Sequence, residues 1–431
     1  MKTLVAFPST AIFGQQAALA FEERAALDAF FTSFVYQNEG ILAKLLAAVP
    51  GGAGARLHRE FGRRAISVVP RGRIETRPFW EIARTLADKG GLGAKQVDKI
   101  WDHLSRRFTV SAGRRLNAAN SVVYAYEYTA LEAFAAADAL GIAKVLDFPS
   151  LNSRAFQELQ RAQKAEYPEL AEPLDAYFEA LFETRQARRD AEMRAADVII
   201  TNSSVTRASH IAGGADPART FAVPYGAPPV VEGGSRAARS LDRPLQVIWA
   251  GTFSIRKGAH LFVEAWRRLA ADGHIEAHMF GAVTLPEKLL QPVPDGMTFH
   301  GSVVQSTLFA AYAAADVLIF PTLSDGFGMV VTEAFSRGLP VITTDHAGAS
   351  DLVRHGENGL VIPAGEPDAI ADALQWCMDN RGKVAAMSSA ATETARNWQW
   401  SNYRAALFAA VADGLQLRSR QPDGVKPSVF A

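Results

Sequence analysis

Residues Asp316–Ile342 read DVLIFPTLSDGFGMVVTEAFSRGLPVI, and this stretch decides the fold class. DVLIFP is a short apolar run suited to a buried strand, and TLSDGFG is its exit loop. MVVTEAFSRG has helical spacing and is stopped by Gly338 and Pro340. A second apolar run, PVITT, follows at once. Strand, helix and strand in this order form the unit that builds parallel sheets covered by helices.

The same alternation extends in both directions. Upstream, LVAF, AFFTSFVY, SVVYAY, AKVLDF, DVIITN and FAVPY read as strands. Between them lie helical stretches such as GQQAALAFEERAA, FWEIARTLADKG and ALEAFAAADALG. Residues 227–244, APPVVEGGSRAARSLDRP, lack periodicity and are rich in Pro, Gly, Ser and Arg, so they read as a linker. Beyond it LQVIWAG, EAHMFG, MTFHG, DVLIFP, PVITT and GLVIP restart the pattern. The fold class expected is α/β, with two Rossmann-like domains facing a cleft. Residues 1–230 form the first domain and 231–398 the second. Residues 399–431 form a C-terminal helix and tail that either returns to the first domain or caps the second. Ligands of such sheets sit outside the carboxyl ends of the strands.

Composition sets the outer bounds. The 431 residues exceed one ordinary core, and 48% hydrophobic with 21% charged suits a water-soluble globular chain. A formal net charge of +0 gives no global reason to bind nucleic acid. One cysteine, Cys377, excludes an internal disulfide and fits a reducing, cytoplasmic setting. The first residues, MKTLVAFPSTAIFGQQAALA, imitate a signal peptide only loosely. Pro8, Ser9 and Thr10 interrupt the apolar run, so Leu4–Phe7 reads as a first buried strand and Gly14 as part of its turn.

Several chemistries lack their signatures. There is no GxxxxGK[ST], no HExxH, no cysteine cluster and no GxSxG. GGAGAR and SDGFGMVV lack the third glycine of a dinucleotide fingerprint, and no two aspartates stand one residue apart. No metal site and no resident cofactor are expected.

What remains is a loop that runs into a helix. The first N–H groups of that helix, near Gly328, Met329 and Val330, have no acceptor within it and make an anion site. Gly326 and Gly328 let a ligand approach the backbone closely. An acid such as Asp325 beside an anion site suits a neutral partner rich in hydroxyls, and Glu333 offers a second acceptor for hydroxyls such as those of a ribose. A sugar, a diphosphate and a ribonucleoside in one ligand join these parts. WAGTFSIRKGAHLF places Arg256 and Lys257 before another helix start, where two cations stabilise a departing diphosphate. Eight residues of helix rise ~12 Å, against ~5–9.5 Å for the carboxyl pair of a glycosidase, which counts against hydrolysis.

These residues resemble glycosyltransferase family 4. FPTLSDGFGMVVTEAFSRGLPVITTDHAGASDLVRHGENGLVIPAGEPDAIADAL looks like its donor half, and AGTFSIRKG like its phosphate-binding turn. ADVIITNSSVTRASHIAGGADPARTFAVPYGAP looks like the end of its first domain. The resemblance implies the two-domain GT-B fold and retaining, metal-independent transfer from a nucleotide-diphosphate sugar. The leaving phosphate would help to deprotonate the acceptor, so no protein nucleophile is needed. It places Asp325 on the transferred sugar, Glu333 on the ribose and Lys257 on the diphosphate. The Gly326–Phe327–Gly328 loop and the amides after it would hold sugar and phosphates, and Gly14 would lie in a loop closing over the donor. Thr252 stands where the family carries an arginine, with Arg256 nearby to supply the charge. The family usually has Glu where Asp325 stands. Tyr126, Glu127 and Asp147 are acceptor-side candidates. The implied acceptor is a glycan or a lipid-linked molecule, as in polysaccharide or cell-envelope synthesis. Two rival readings stay open: an epimerase or phosphorylase on the same fold, and a degenerate binding protein.

Arg56, Arg59, Arg63, Arg64, Arg71, Arg73 and Arg77 cluster with only Glu60 and Glu75 among them. Such a patch suits peripheral contact with an anionic membrane face, or simply a solvated helix face.

Overall fold

The computed structural model describes residues 1–36, 40–49, 52, 54, 58, 61–62, 64–66, 68–78, 82, 85, 91–231, 243–269 and 273–420. The arginines at 56, 59 and 63, Glu60, most of FWEIARTLADKG, the middle of the linker and the last eleven residues lie outside them.

Seven strands make the first sheet: β1 (Thr3–Ala6), β2 (Leu27–Thr32), β3 (Ile74–Thr76), β4 (Val122–Tyr126), β5 (Ala143–Phe148), β6 (Val198–Thr201) and β7 (Thr220–Ala222). They lie in the order β3-β2-β1-β4-β5-β6-β7, every pair parallel. The second sheet holds β8 (Leu245–Ala250), β9 (Ile275–Phe280), β10 (Met297–Gly301), β11 (Val317–Phe320), β12 (Val341–Thr344) and β13 (Gly359–Ile362). Its order is β10-β9-β8-β11-β12-β13, again parallel throughout. In each sheet the chain runs outward through three strands and then crosses to the other side of the first, from β3 to β4 and from β10 to β11, the reversal that marks a ligand crevice in doubly wound folds. Central strands such as β4 and β11 are buried along their whole length because helices cover both faces.

Two expectations need correction. β3 was absent from the expected strands; it is three residues long, and Ile74 is its one apolar residue. Gly14 is not in a loop. The helix Ile12–Glu22 begins earlier, and a Cβ on Gly14 would stand 2.1 Å from the Phe7 ring. Close packing of the helix on the end of β1 therefore explains that glycine.

The helix Trp400–Arg420 returns to the first sheet. Arg404 donates to Gln16 at 2.7 Å and pairs with Glu23 at 2.7 Å. A Cβ on Gly414 would stand 2.7 Å from the Val198 side chain. Tyr403, Leu407 and Val411 are buried and belong to one apolar cluster that also holds Phe21, Ile200, Leu318 and Phe335. Fully burying such a side chain contributes ~1.5–3 kcal/mol. The chain crosses back where the Ala227 N–H donates to the Trp398 carbonyl at 2.8 Å.

Candidate active site

β8 and β11 are neighbours, so the loops leaving them emerge side by side. The first passes through a short turn, Ile255–Lys257, into the helix Ala259–Leu269. Gly258 joins them with φ 75°, and a Cβ there would meet the Pro321 carbonyl at 2.0 Å. The loops are locked together. The Leu323 N–H and the Thr322 hydroxyl donate to the Arg256 carbonyl at 3.0 and 3.1 Å, and the Arg256 guanidinium donates to the Ser324 carbonyl at 3.1 Å.

This locking brings together the charges expected from sequence. The Lys257 ammonium contacts the Asp325 carboxylate, and Arg256 stands 3.7 Å from the same oxygen. Lys257 also lies over the Phe320 ring, 4.7 Å from its centroid. Burial, and secondarily the Arg256 charge, pulls the Lys257 ammonium well below its ordinary range. Asp325 itself is oriented by its neighbours. Its N–H donates to His346 at 3.2 Å, its carbonyl accepts from Gly348 at 3.0 Å, and its Oδ1 accepts from Phe327 N–H at 3.2 Å.

The glycine loop reaches the first domain. The Gly326 carbonyl accepts from Ser203 at 2.8 Å and from Thr206 at 3.0 Å. A Cβ at Gly326 would stand 2.1 Å from the Pro149 carbonyl, so no larger residue fits this contact unchanged. Phe327 was expected to help hold the donor, but it has little left to offer. Its N–H is taken by Asp325, its carbonyl accepts from Ala349 at 2.6 Å, and its buried ring lies 5.2 Å from Tyr225. Gly328 takes φ 92° and opens the helix Met329–Phe335, with Met329 and Val330 in its first turn. Thr252 is exposed on the turn after β8 and carries no charge to replace the arginine of the family pattern.

Glu333 faces elsewhere. With Met329 and Thr332 it lines a cavity of about 570 Å³, closed by Gln16, Pro228 and Arg404. Neither Lys257 nor Asp325 lines that cavity. Tyr312 donates to Glu333 at 3.4 Å. Burial pushes the carboxyl up to about 7, opposed by Tyr312 and Arg337. No described cavity joins the two acids as the sequence led one to expect: Asp325 sits with the cations, and Glu333 lines a chamber of its own.

The acceptor-side candidates divide. Tyr126 ends β4, Asp147 is the next-to-last residue of β5, and both are buried. Tyr124 donates to Asp147 at 2.5 Å, and burial pushes this carboxyl up to about 7 against that hydrogen bond. Tyr225 and Tyr403 join the cluster, their ring centroids 5.6 Å apart. Glu127 is already engaged: Arg189 pairs with it at 2.7 Å and Ser150 donates to it at 2.9 Å. Sequence reasoning missed Gln16, Arg404, Tyr225 and Tyr403. They come from distant segments, and no local motif marks them.

Residues 244–380 match the family model described as glycosyl transferases group 1. Over 177 residues the chain is 30% identical to a D-inositol 3-phosphate glycosyltransferase of Corynebacterium glutamicum, covering 41% of this chain and 37% of that one. Over 123 residues it is 34% identical to a GDP-mannose-dependent alpha-(1-6)-phosphatidylinositol monomannoside mannosyltransferase of Mycobacterium tuberculosis, covering 27% and 32%. The chain thus spans about a third of the length of these relatives. A crystal structure of Anabaena HepE in complex with UDP and glucose superposes with a TM-score of 0.60 at 16% identity, covering 96% of this chain and 99% of that one. The whole chain therefore has the GT-B fold, and the matched residues 244–380 include Lys257 and Asp325.

Proposed function

We propose that the protein transfers a sugar from a nucleotide-diphosphate donor to a glycan or lipid-linked acceptor, with retention and without a metal. The observation that carries this is the meeting of Lys257, Arg256 and Asp325 where two locked loops leave adjacent strands. In the reaction the acceptor oxygen bonds to the anomeric carbon as the bond from that carbon to the diphosphate oxygen breaks. The acceptor proton passes to the leaving diphosphate, whose growing charge Lys257 and Arg256 neutralise. Asp325 would hold hydroxyls of the moving sugar. Glu333, in its own chamber, would hold the ribose. The relatives and the HepE structure support a nucleotide-linked donor by what their names record.

The decisive experiment combines a thermal-shift screen of UDP, GDP and ADP with a transfer assay on wild type and Lys257→Ala. Protection by one nucleotide, about 2.7 kcal/mol at a hundredfold excess over Kd, and turnover lost in the variant are expected. No protection by any of the three would remove the proposal. A binding protein without turnover is the second reading, favoured by the exposed, uncharged Thr252. Protection without turnover on any acceptor selects it.

No helix among the described residues is long and apolar enough to cross a membrane. Peripheral contact through Arg71, Arg73 and Arg77, on the cytoplasmic face, belongs to the proposal. Arg73 already pairs with Glu22 at 3.1 Å and Arg77 lies over Phe31, which leaves Arg71 to meet lipid. Equal co-sedimentation with neutral and anionic vesicles would discard this contact.

A further inference from the structure

The first domain contains a larger cavity than the one beside Glu333, about 960 Å³, at the carboxyl ends of β1, β2 and β3. One wall is the loop Pro8–Thr10, and another is the helix Ala94–Arg115. On that helix Trp101, Leu104 and Phe108 recur at three- and four-residue spacing and so share a face. With Phe34 they give the cavity an apolar floor, and Trp101 is 38% exposed although its ring stacks on Tyr128.

Three arginines, Arg64, Arg77 and Arg107, enter the same space, and no acid is among the described lining residues. The described acids nearby are already taken. Glu75 binds Arg115 at 2.9 Å, Asp98 binds Arg185 at 2.7 Å, and Asp102 binds Arg106 at 3.1 Å and accepts from Tyr128. Arg77 is fixed at its backbone, where its N–H donates to Ser33 at 3.0 Å, and its guanidinium lies over Phe31, 5.4 Å from the ring centroid. Among the described residues neither Arg77 nor Arg107 has a carboxylate partner. Arg77 and Arg107, without a carboxylate partner among the described residues and set above an apolar floor, match a ligand that joins a tetrahedral anion to an apolar face.

Ring contacts run from this wall toward the donor side. Phe7 and Phe13 flank the wall loop and pack on Tyr126 and Tyr225, and Tyr225 faces Phe327 next to Asp325.

We propose that this cavity receives an acceptor bearing a phosphate ester, with Arg77 and Arg107 on the phosphate and Trp101 and Phe34 against the attached body. A phosphorylated sugar and a prenyl phosphate share this chemistry. The proposal rests on the transferase reading for the word acceptor, but not for the site itself.

The test is calorimetric titration of the full chain with glucose 6-phosphate and with farnesyl phosphate, each against its dephosphorylated form. UDP, GDP and ADP are titrated in parallel. At least one phosphorylated probe should bind tenfold or more tightly than its dephosphorylated form; which one binds names the source. Arg77→Ala/Arg107→Ala should weaken it at least tenfold, the double lysine variant should retain most of the affinity, and Lys257→Ala should leave it unchanged. If the alanine pair fails to fold, Arg107→Glu at an exposed position reads the same loss. Equal binding of phosphorylated and dephosphorylated probes, no binding, full affinity in the alanine pair, or loss in Lys257→Ala would each overturn the site. Probe binding without any nucleotide binding would instead sink the transferase reading and leave the site standing.

Discussion

The Lys257 ammonium rests on the Asp325 carboxylate, although the two residues lie on different loops of the second domain. In this state the cation assigned to a diphosphate is neutralised by the acid assigned to a sugar. A donor must therefore divide the pair, with the phosphate taking Lys257 and the sugar hydroxyls taking Asp325. Removing either member then has opposite effects on nucleotide binding. Asp325→Asn should leave the affinity for the nucleoside diphosphate unchanged or tighter while transfer falls. Lys257→Ala should weaken both, with kcat/KM down on the order of a hundredfold or more. Calorimetry with the nucleotide and initial rates decide this, and weaker nucleotide binding in Asp325→Asn would break the division of roles.

Glu333 gives a prediction in pH. Its carboxyl lies near 7 because it is buried, so it is largely protonated at pH 6 and largely ionised at pH 8. An ionised carboxylate accepts ribose hydroxyls better, so nucleotide affinity should rise across that interval in excess of the nucleotide's own titration. In Glu333→Gln the excess should vanish. An unchanged pH profile in the variant would detach Glu333 from the nucleotide.

Asp147 gives a prediction in stability. Its folded carboxyl is raised to about 7 from an ordinary 3.8. The folded chain therefore holds a proton that the unfolded chain gives up between these values. That stabilisation is complete below pH ~4 and is lost as pH rises through about 7, at about 1.4 kcal/mol for each pH unit between them. Urea unfolding at pH 5 and pH 8 should show the loss in wild type and a flatter response in Asp147→Asn, other groups being common to both.

The close approach at Gly326 is a steric prediction. Gly326→Ala sets a Cβ 2.1 Å from the Pro149 carbonyl and pushes the loop off Ser203 and Thr206. Overpacking of this kind costs ~1–3 kcal/mol. Transfer should fall far more than stability, because the loop carries Asp325. A melting temperature and a rate measured on the same sample test the ratio.

The return helix is predicted to be part of the first domain's stability. A chain ending at Trp398 would uncover the apolar surface that Tyr403, Leu407 and Val411 bury against Phe21 and Val198. Even Tyr403→Ala should cost ~3–5 kcal/mol as a large buried ring is removed. Urea unfolding of the point variant and size-exclusion of the truncated chain are the measurements.

Most of the fold was legible in the sequence, because buried parallel strands are written as short apolar runs and each is followed by its helix. AKVLDF and MTFHG coincide with β5 and β10 residue for residue. β3 escaped because it pairs only at the sheet edge, against β2, and needs little apolar content. Gly14 misled because no side chain caps its helix, so nothing marked Ile12 as the start. Lys257 and Asp325 were readable as charged residues beside glycines at strand exits. Their direct contact was not, since it depends on the pairing of β8 with β11. The chamber at Glu333 was not readable either: its walls come from Gln16, Pro228 and Arg404, hundreds of residues apart and without shared spacing.

The place where the chain passes between its halves limits how they move. The outward passage at Ala227 and the return at Trp398 lie side by side and are hydrogen-bonded to each other. Two crossings held at one spot keep the exit from the first half and the return to it within a hydrogen bond of each other, so sliding one half along the other there would break the Ala227–Trp398 bond.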